Sequence, residues 1–386
     1  MTQQAHLKTV EKPIPFIDLQ TQQQHIRKRI DAALSRVLDH GGYIMGPEVY
    51  ELEKKLAEFC GAKHVISCSN GTDALALVLR AKGIGSGDAV LVPSFTFAAT
   101  AEVVCWLGAT PVFVDVLADT FNMDPLSLEN AISSATAAGL TPRAVIPVDL
   151  FGQLADYDAI EKICQTHGLW ILSDAAQSFG GTYHGRKAGT IGLATTTSFF
   201  PAKPLGCYGD GGAIFTDDDE LVAILHSLRV HGQGEDKYQN IRVGMNGRLD
   251  TLQAAILKEK LAIFPDEIIA RQSVADRYNE GLKDVVKTPF VLEGLQSVWA
   301  QYTLILKDDE RSALATALKA DGIPTAIYYP KPLHQQIAYQ QYPVASSGLK
   351  VSEDIATRVL SLPMHAYLAK ETQDYIIQAV RNFYQK

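Results

Sequence analysis

Cysteine is scarce in this chain: Cys60, Cys68, Cys105, Cys164 and Cys207 are the five present. The number is odd and no two form a C-x-x-C pair, so neither a disulfide framework nor a zinc site is expected. Reduced thiols in a cytoplasmic protein are the simpler reading. Long apolar runs are missing too. The greasiest stretch, from Phe95 to Ala109, is broken by Glu102 and falls short of the roughly 18 apolar residues of a membrane span. The segment Met1 to Lys12 is polar and lacks the apolar centre of a signal peptide. Positive charge is in short supply, with 43 acidic against 35 basic side chains and a formal charge of −8. Partnership with nucleic acid or an anionic membrane needs a basic surface, so neither is expected. No G-x-x-x-x-G-K-[ST] phosphate loop, G-x-G-x-x-G fingerprint, internal repeat or low-complexity tract occurs. An anionic ligand would have to be held by a few local groups working against the overall charge.

What remains is an ordinary globular balance over 386 residues, 47% of them hydrophobic and 20% charged. That length suits two or three domains at roughly 100–200 residues each. Short apolar runs at 64–68, 89–93, 111–115, 144–148, 169–173, 196–200 and 213–216 read as strands. Segments of helical period, such as 73–82, 98–107, 125–135 and 155–167, lie between most of them. Strands alternating with helices predict an α/β unit with a mostly parallel sheet, whose ligands gather beyond the carboxyl ends of the strands. After about Leu261 the pattern changes to helix-like 266–282, strand-like 299–305 and helices near 311–321 and 370–384, with an ordered loop or strand at 324–332. This predicts a large domain over 15–264 and a small α+β domain over 265–386.

Three segments at successive strand ends could carry chemistry. The first, Cys68-Ser69-Asn70-Gly71-Thr72-Asp73, reads as strand, turn and helix start, with Thr72 or Asp73 as the cap. Free N–H groups there would form an anion site, although a capped helix after a glycine turn explains the same residues. The second, Leu172-Ser173-Asp174-Ala175-Ala176-Gln177-Ser178, ends an apolar strand in an acid. Asp174 reads equally well as a helix cap or as a partner for a heterocyclic nitrogen. The third and most specific is the segment 198–212, where Lys203 stands between Pro201 and Pro204 and four glycines follow within 206–212. A surface lysine in a glycine-rich loop is one reading. The other is an amine made nucleophilic by burial. Lys187, in a polar turn, is rejected for that role. An anion pocket, an acid and an amine together are what pyridoxal phosphate asks of a protein. Phe97, on the same edge, would stack on its ring, leaving Phe95 for the core.

These residues resemble the DegT/DnrJ/EryC1/StrS family of sugar aminotransferases, from about Pro15 to the C-terminus. The motifs that carry the resemblance are Phe16-Ile17-Asp18-Leu19, Gly46-Pro47-Glu48-Val49, Asp174-Ala175-Ala176-Gln177 and the segment 198–212. The resemblance implies the aspartate-aminotransferase-like fold type I of pyridoxal-phosphate enzymes, with a seven-stranded sheet in the large domain. It implies that Lys203 joins the cofactor aldehyde as a Schiff base and that Asp174 pairs with its ring nitrogen. Gln177 would contact the phenolic oxygen, Phe97 the ring, and Gly71, Thr72 and Ser198 the phosphate. Asn246 would reach the phosphate in the neighbouring subunit of a homodimer with shared sites. Gly41, Tyr43, Arg248, Tyr328 and Tyr329 would contact substrate. That substrate would be a nucleotide-linked ketosugar, with L-glutamate as amino donor and pyridoxamine phosphate as the aminated cofactor.

Within the family the resemblance is strongest to enzymes that aminate UDP-2-acetamido-2-deoxy-3-oxo-glucuronate, for 2,3-diamino sugar acids of surface polysaccharides. Amination of a 4-keto or 3-keto-6-deoxy sugar linked to dTDP, UDP or GDP shares every cofactor residue. A non-catalytic regulator on the same scaffold is expected to have lost Lys203 or Asp174, and a dehydratase to carry His in place of the lysine. Two departures bear on the sugar pocket: Tyr328 stands where relatives place His, and Ala202 where they often place Ser. A tyrosine hydroxyl can replace one imidazole hydrogen bond, but it is larger and neutral near pH 7.

Overall fold

Two capped helices come first among the described residues: α1 (Leu19–His40) and α2 (Pro47–Cys60). Asp18 starts α1 by accepting the Thr21 N–H at 2.8 Å, and Gly41 ends it in the left-handed region at φ 69°. The structure is a computed structural model that describes residues 13–236, 238–307 and 309–385. The polar stretch Met1–Lys12 therefore lies outside the described residues.

The chain then alternates β1 (His64–Cys68), α3 (Gly71–Ala81), β2 (Asp88–Pro93), α4 (Ala99–Trp106), β3 (Thr110–Val114), α5 (Pro125–Ala137), β4 (Thr141–Val145), α6 (Tyr157–His167) and β5 (Trp170–Asp174). A small hairpin, β6 (Thr182–Tyr183) and β7 (Arg186–Lys187), precedes β8 (Ala194–Ser198) and β9 (Gly212–Thr216). Seven strands form one sheet in the order β1-β9-β8-β5-β4-β2-β3. Only β9 runs against the others, paired antiparallel to β8 on one side and β1 on the other. This is the mostly parallel seven-stranded sheet expected from the sequence. Apart from the exposed start of β4, its strands are buried along almost their whole length because helices cover both faces.

Helices α7 (Asp219–Arg229), α8 (Thr251–Leu261) and α9 (Phe264–Leu282) follow, with α1 and α2 packed on α8. Beyond them lie β10 (Leu295–Gln296), β11 (Tyr302–Ile305), α10 (Glu310–Ala320), α11 (Lys350–Arg358), β12 (Val359–Leu362) and α12 (Lys370–Tyr384). One apolar core fills the space between the sheet and α3–α6. A second joins α2, α8 and the start of α9, through Phe264 and Ile268, to the sheet. A third contains the end of α9 (Val274, Ala275, Tyr278 and Leu282) with β11, β12, α10 and α12. A fourth knits strand ends of the sheet (Phe95, Val116, Val148) to Ile305, Ile355 and Val359, with Tyr328 and Tyr329 against it. All five cysteines are free thiols. Among the described residues no helix is long and apolar enough to cross a membrane, and no metal-binding cluster occurs.

Candidate active site

The carboxyl ends of β1, β5 and β8 open into a cavity of about 640 Å³, a size suited to a small organic ligand. Gly71, Thr72, Phe97, Asp174, Gln177, Ser198, Lys203, Tyr328 and Tyr329 all line it, so nine of the residues singled out in the sequence share one space. Its apolar wall reaches along α4 to Trp106, whose side chain is 62% exposed at the rim.

The reversal of β9 shapes the first corner. Gly212 stands opposite both Cys68 and Ser198, so the turn after β1 and the end of β8 meet there. A Cβ on Gly212 would come within 2.4 Å of the Asn70 carbonyl, and one on Gly71 within 2.7 Å of the Ser198 Cβ. Both positions therefore require glycine. The helix cap is neither Thr72 nor Asp73 but Asn70, whose side chain accepts the Asp73 N–H at 2.8 Å. The next amides, of Gly71 and Thr72, lack an intrahelical acceptor because they occupy the first turn. With the Thr72 hydroxyl and the Ser198 hydroxyl, which already accepts the Phe200 N–H at 3.2 Å, they form a donor-rich corner suited to a phosphate.

At the second corner Asp174 is buried, and no helix follows for it to cap. Its Oδ1 accepts the Ala176 N–H at 3.2 Å and its Oδ2 the Thr100 hydroxyl at 3.0 Å. Burial pushes this carboxyl above its ordinary range, while those two donors and the Lys203 charge hold it down. Burial pushes the Lys203 amine below its ordinary value, with the Asp174 charge pulling it back. The turn of Lys203 is closed by its N–H on the Phe200 carbonyl at 2.9 Å. Lys187 lies elsewhere, donating to the Phe59 carbonyl at 2.6 Å.

Aromatic residues form the remaining walls. Phe97 is largely exposed to the cavity, whereas Phe95 is buried in the fourth core. Gln177 is buried, accepts the Phe151 N–H at 2.9 Å and donates to the Tyr329 hydroxyl at 3.2 Å. That bond fastens the 324–332 segment to the strand-end loop. Burial raises both Tyr328 and Tyr329 above the ordinary tyrosine value.

Gly41, Tyr43, Asn246 and Arg248 do not line this cavity. They form a second group nearby: Ile44 bridges Asp250, the Thr251 N–H donates to the Tyr43 carbonyl at 3.0 Å, and the Ser69 N–H to the Gly247 carbonyl at 3.1 Å. Asn246 is exposed. Arg248 makes no ion pair with Asp250 among the described residues, and its Nε is buried without a partner. The sequence reading missed Thr100, one helical turn after Phe97, and Asp149, which ends the β4 segment beside Asp174. In the sequence Thr100 is only a polar residue at a helix start and Asp149 only one after an apolar run.

Comparison with known proteins follows this geometry closely. The chain matches the DegT/DnrJ/EryC1/StrS aminotransferase family over residues 24–381. It belongs to that family. It is 51% identical over 370 residues to the UDP-2-acetamido-2-deoxy-3-oxo-D-glucuronate aminotransferase of Pseudomonas aeruginosa, covering 96% of this chain and all of that one. A DegT DnrJ EryC1 StrS aminotransferase from Brucella abortus superposes with a TM-score of 0.95 at 55% identity, over 97% of this chain and 100% of that one. NtdA from Bacillus subtilis, solved with bound cofactor PMP, superposes with a TM-score of 0.89 at 29% identity, over 98% of this chain and 87% of that one. The fold is thus that of the DegT/DnrJ/EryC1/StrS aminotransferases throughout.

Proposed function

We propose that this family member transfers an amino group from L-glutamate to a nucleotide-linked ketosugar by means of pyridoxal phosphate. UDP-2-acetamido-2-deoxy-3-oxo-glucuronate is the leading substrate, and surface polysaccharide biosynthesis the setting. The observation that carries the reading is Lys203, a partly buried lysine whose amine is held below its ordinary value by desolvation and pulled back by the Asp174 charge, across one cavity from a helix start with free amides. The donor set fits the cofactor. Gly71, Thr72 and Ser198 would hold its phosphate, Phe97 would cover one face of its ring, and Asp174 would hold a proton on the ring nitrogen. Bound there, pyridoxal phosphate supplies an electron sink for a carbanion next to nitrogen.

The chain's own part is proton transfer and positioning. Burial favours the neutral form of the Lys203 amine, which can take a proton from the donor's α-carbon and return it at the far end of the transfer. The Thr100 hydroxyl and the Ala176 N–H favour the charged form of Asp174 against its burial, and that carboxylate would hold the proton on the ring nitrogen meanwhile. Phe97 and Tyr329 would restrict water over the bound cofactor, and Gln177 holds the Tyr329 hydroxyl at the cavity wall.

The second group of residues supports a homodimer with shared sites. Arg248 and Asn246 stand outside their own cavity, yet Ile241 and Val243 in the adjoining segment are 53% and 75% exposed. A partner covering that segment would bring its own Arg248 to the sugar or nucleotide phosphates, the strongest negative charge the substrate has.

The test loads the protein with pyridoxamine phosphate and offers 3-keto and 4-keto nucleotide sugars in turn. Return of the visible absorption band with the 3-keto uronate is expected, and return with 4-keto sugars only would transfer the assignment to them. Lys203→Ala should abolish both turnover and the visible band; a variant that still turns over overturns the role of the lysine.

A further inference from the structure

Directly behind Asp174 lies a second acid. Asp149 is completely buried, and no basic side chain pairs with it among the described residues. The segment before it extends β4 alongside β5: Val148 bridges Asp174, the Asp174 N–H donates to the Pro147 carbonyl at 2.9 Å, and the Asp149 N–H donates to the Asp174 carbonyl at 3.0 Å. A buried carboxyl without a cation is costly unless hydrogen bonds satisfy it, and here they do. Its Oδ1 takes the Ala155 N–H at 2.9 Å and meets the Tyr157 hydroxyl at 2.8 Å. Its Oδ2 takes the Ser178 hydroxyl at 2.9 Å, with the Ser173 hydroxyl at 3.4 Å. Ser173 and Ser178 stand on either side of Asp174 and Gln177 in the chain, and the Tyr157 hydroxyl also lies 2.7 Å from Ser173.

The arrangement does more than fill a core. An apolar residue would pack this space without leaving a carboxyl under the acid that faces the ligand. We propose that Asp149 is a positioning residue for the cofactor-facing acid: it ties together the two flanks of Asp174, and its charge strengthens the hold of Asp174 on a proton at the ligand's ring nitrogen. This rests on the cofactor reading above. Like charges at short range in a buried site couple strongly. The titratable groups that face Asp149 are Tyr157 from α6 and Asp174 from β5. Burial, with the Asp174 charge adding to it, pushes Asp149 up to about 7 against its donors, so the charge appears within the working range of pH.

Asp149→Asn keeps the shape and the Ala155 bond, and the two hydroxyls can turn to accept from the new amide. The experiment loads wild type and variant with pyridoxal phosphate and follows the visible absorption against pH. Without the second negative charge, the midpoint should fall by about half a pH unit or more, while the circular dichroism at pH 5 stays that of wild type. An unmoved midpoint overturns the proposal, whatever the loss of activity, because a merely structural role predicts only a smaller folded fraction. Should the Asn variant fail to fold, Ser178→Ala retains the carboxyl and removes one donor. The inflection due to Asp149 should then move to higher pH, and an unmoved inflection overturns the proposal equally. A wild-type chain that takes up no pyridoxal phosphate overturns the cofactor reading and this proposal with it. A loaded chain with an unmoved midpoint overturns this proposal alone.

Discussion

Thr100 is a small residue with a large share in the site. Its hydroxyl is the one side-chain donor to Asp174 Oδ2 among the described residues, and both groups are buried. Thr100→Val preserves the shape and removes that donor. A hydrogen bond to a charged group contributes about 1.5–3 kcal/mol, so the cofactor dissociation constant should rise roughly tenfold or more. Fluorescence titration of the apoprotein with pyridoxal phosphate measures it. Asp149 gives a separate prediction for the apoprotein. Its carboxyl is raised from 3.8 to about 7, so the folded chain retains a proton there that the unfolded chain has lost. Stability from this group is complete below the lower value and is lost as pH rises through the upper one, at about 1.4 kcal/mol per unit. Relative to wild type, Asp149→Asn should gain stability from pH 4 to 7 and level off above it, as denaturant melts at several pH values would show. Neither residue was legible in the sequence. Lys203 and Asp174 were, because prolines and a strand end mark them locally. Thr100 and Asp149 matter only through contacts made across the folded chain.

At the scale of elements, the site depends on how closely α3 approaches β8. Gly71→Ala would drive a methyl into the Ser198 Cβ, two groups held by a helix start and a strand end that cannot easily yield. The expected result is a loss of cofactor affinity of about tenfold or more, since the amides and hydroxyl no longer converge. Inorganic phosphate should lose its competition with the cofactor at the same time, which separates this effect from damage at the ring. The alternation of strands and helices was readable because apolar runs of strand length alternate with segments of helical period. The reversal of β9 was not, since a fully buried strand has the same composition in either direction. The helix cap was misplaced by two or three residues for a similar reason. Asn, Thr and Asp all favour that position, and only the bond from the Asp73 N–H to Asn70 decides among them.

For the whole molecule, the division into two residue groups makes a quantitative statement about assembly. If Lys203 and Arg248 act in one site from different subunits, co-expressed Lys203→Ala and Arg248→Ala chains should recover activity that neither has alone. In a statistical mixture of symmetric dimers, about a quarter of the sites would then be intact. No recovery would mean that both residues serve a site within one chain. The sequence pointed to Arg248 and Asn246 through family resemblance only; nothing in their spacing told them from ordinary surface residues. Helix α9 bears on the molecule as a whole in another way. Its first turns belong to the core beside the sheet and its last turns to the core of the C-terminal elements, with no break between. A cut near residue 264 would therefore not release a module. It would strip Phe264 and Ile268 from one side and leave the other attached to a helix half without a bed. Grafting the C-terminal unit between relatives should succeed only with a crossover inside α9, between Ile268 and Val274, so recombination within this fold has a narrow seam that runs through a helix rather than a loop.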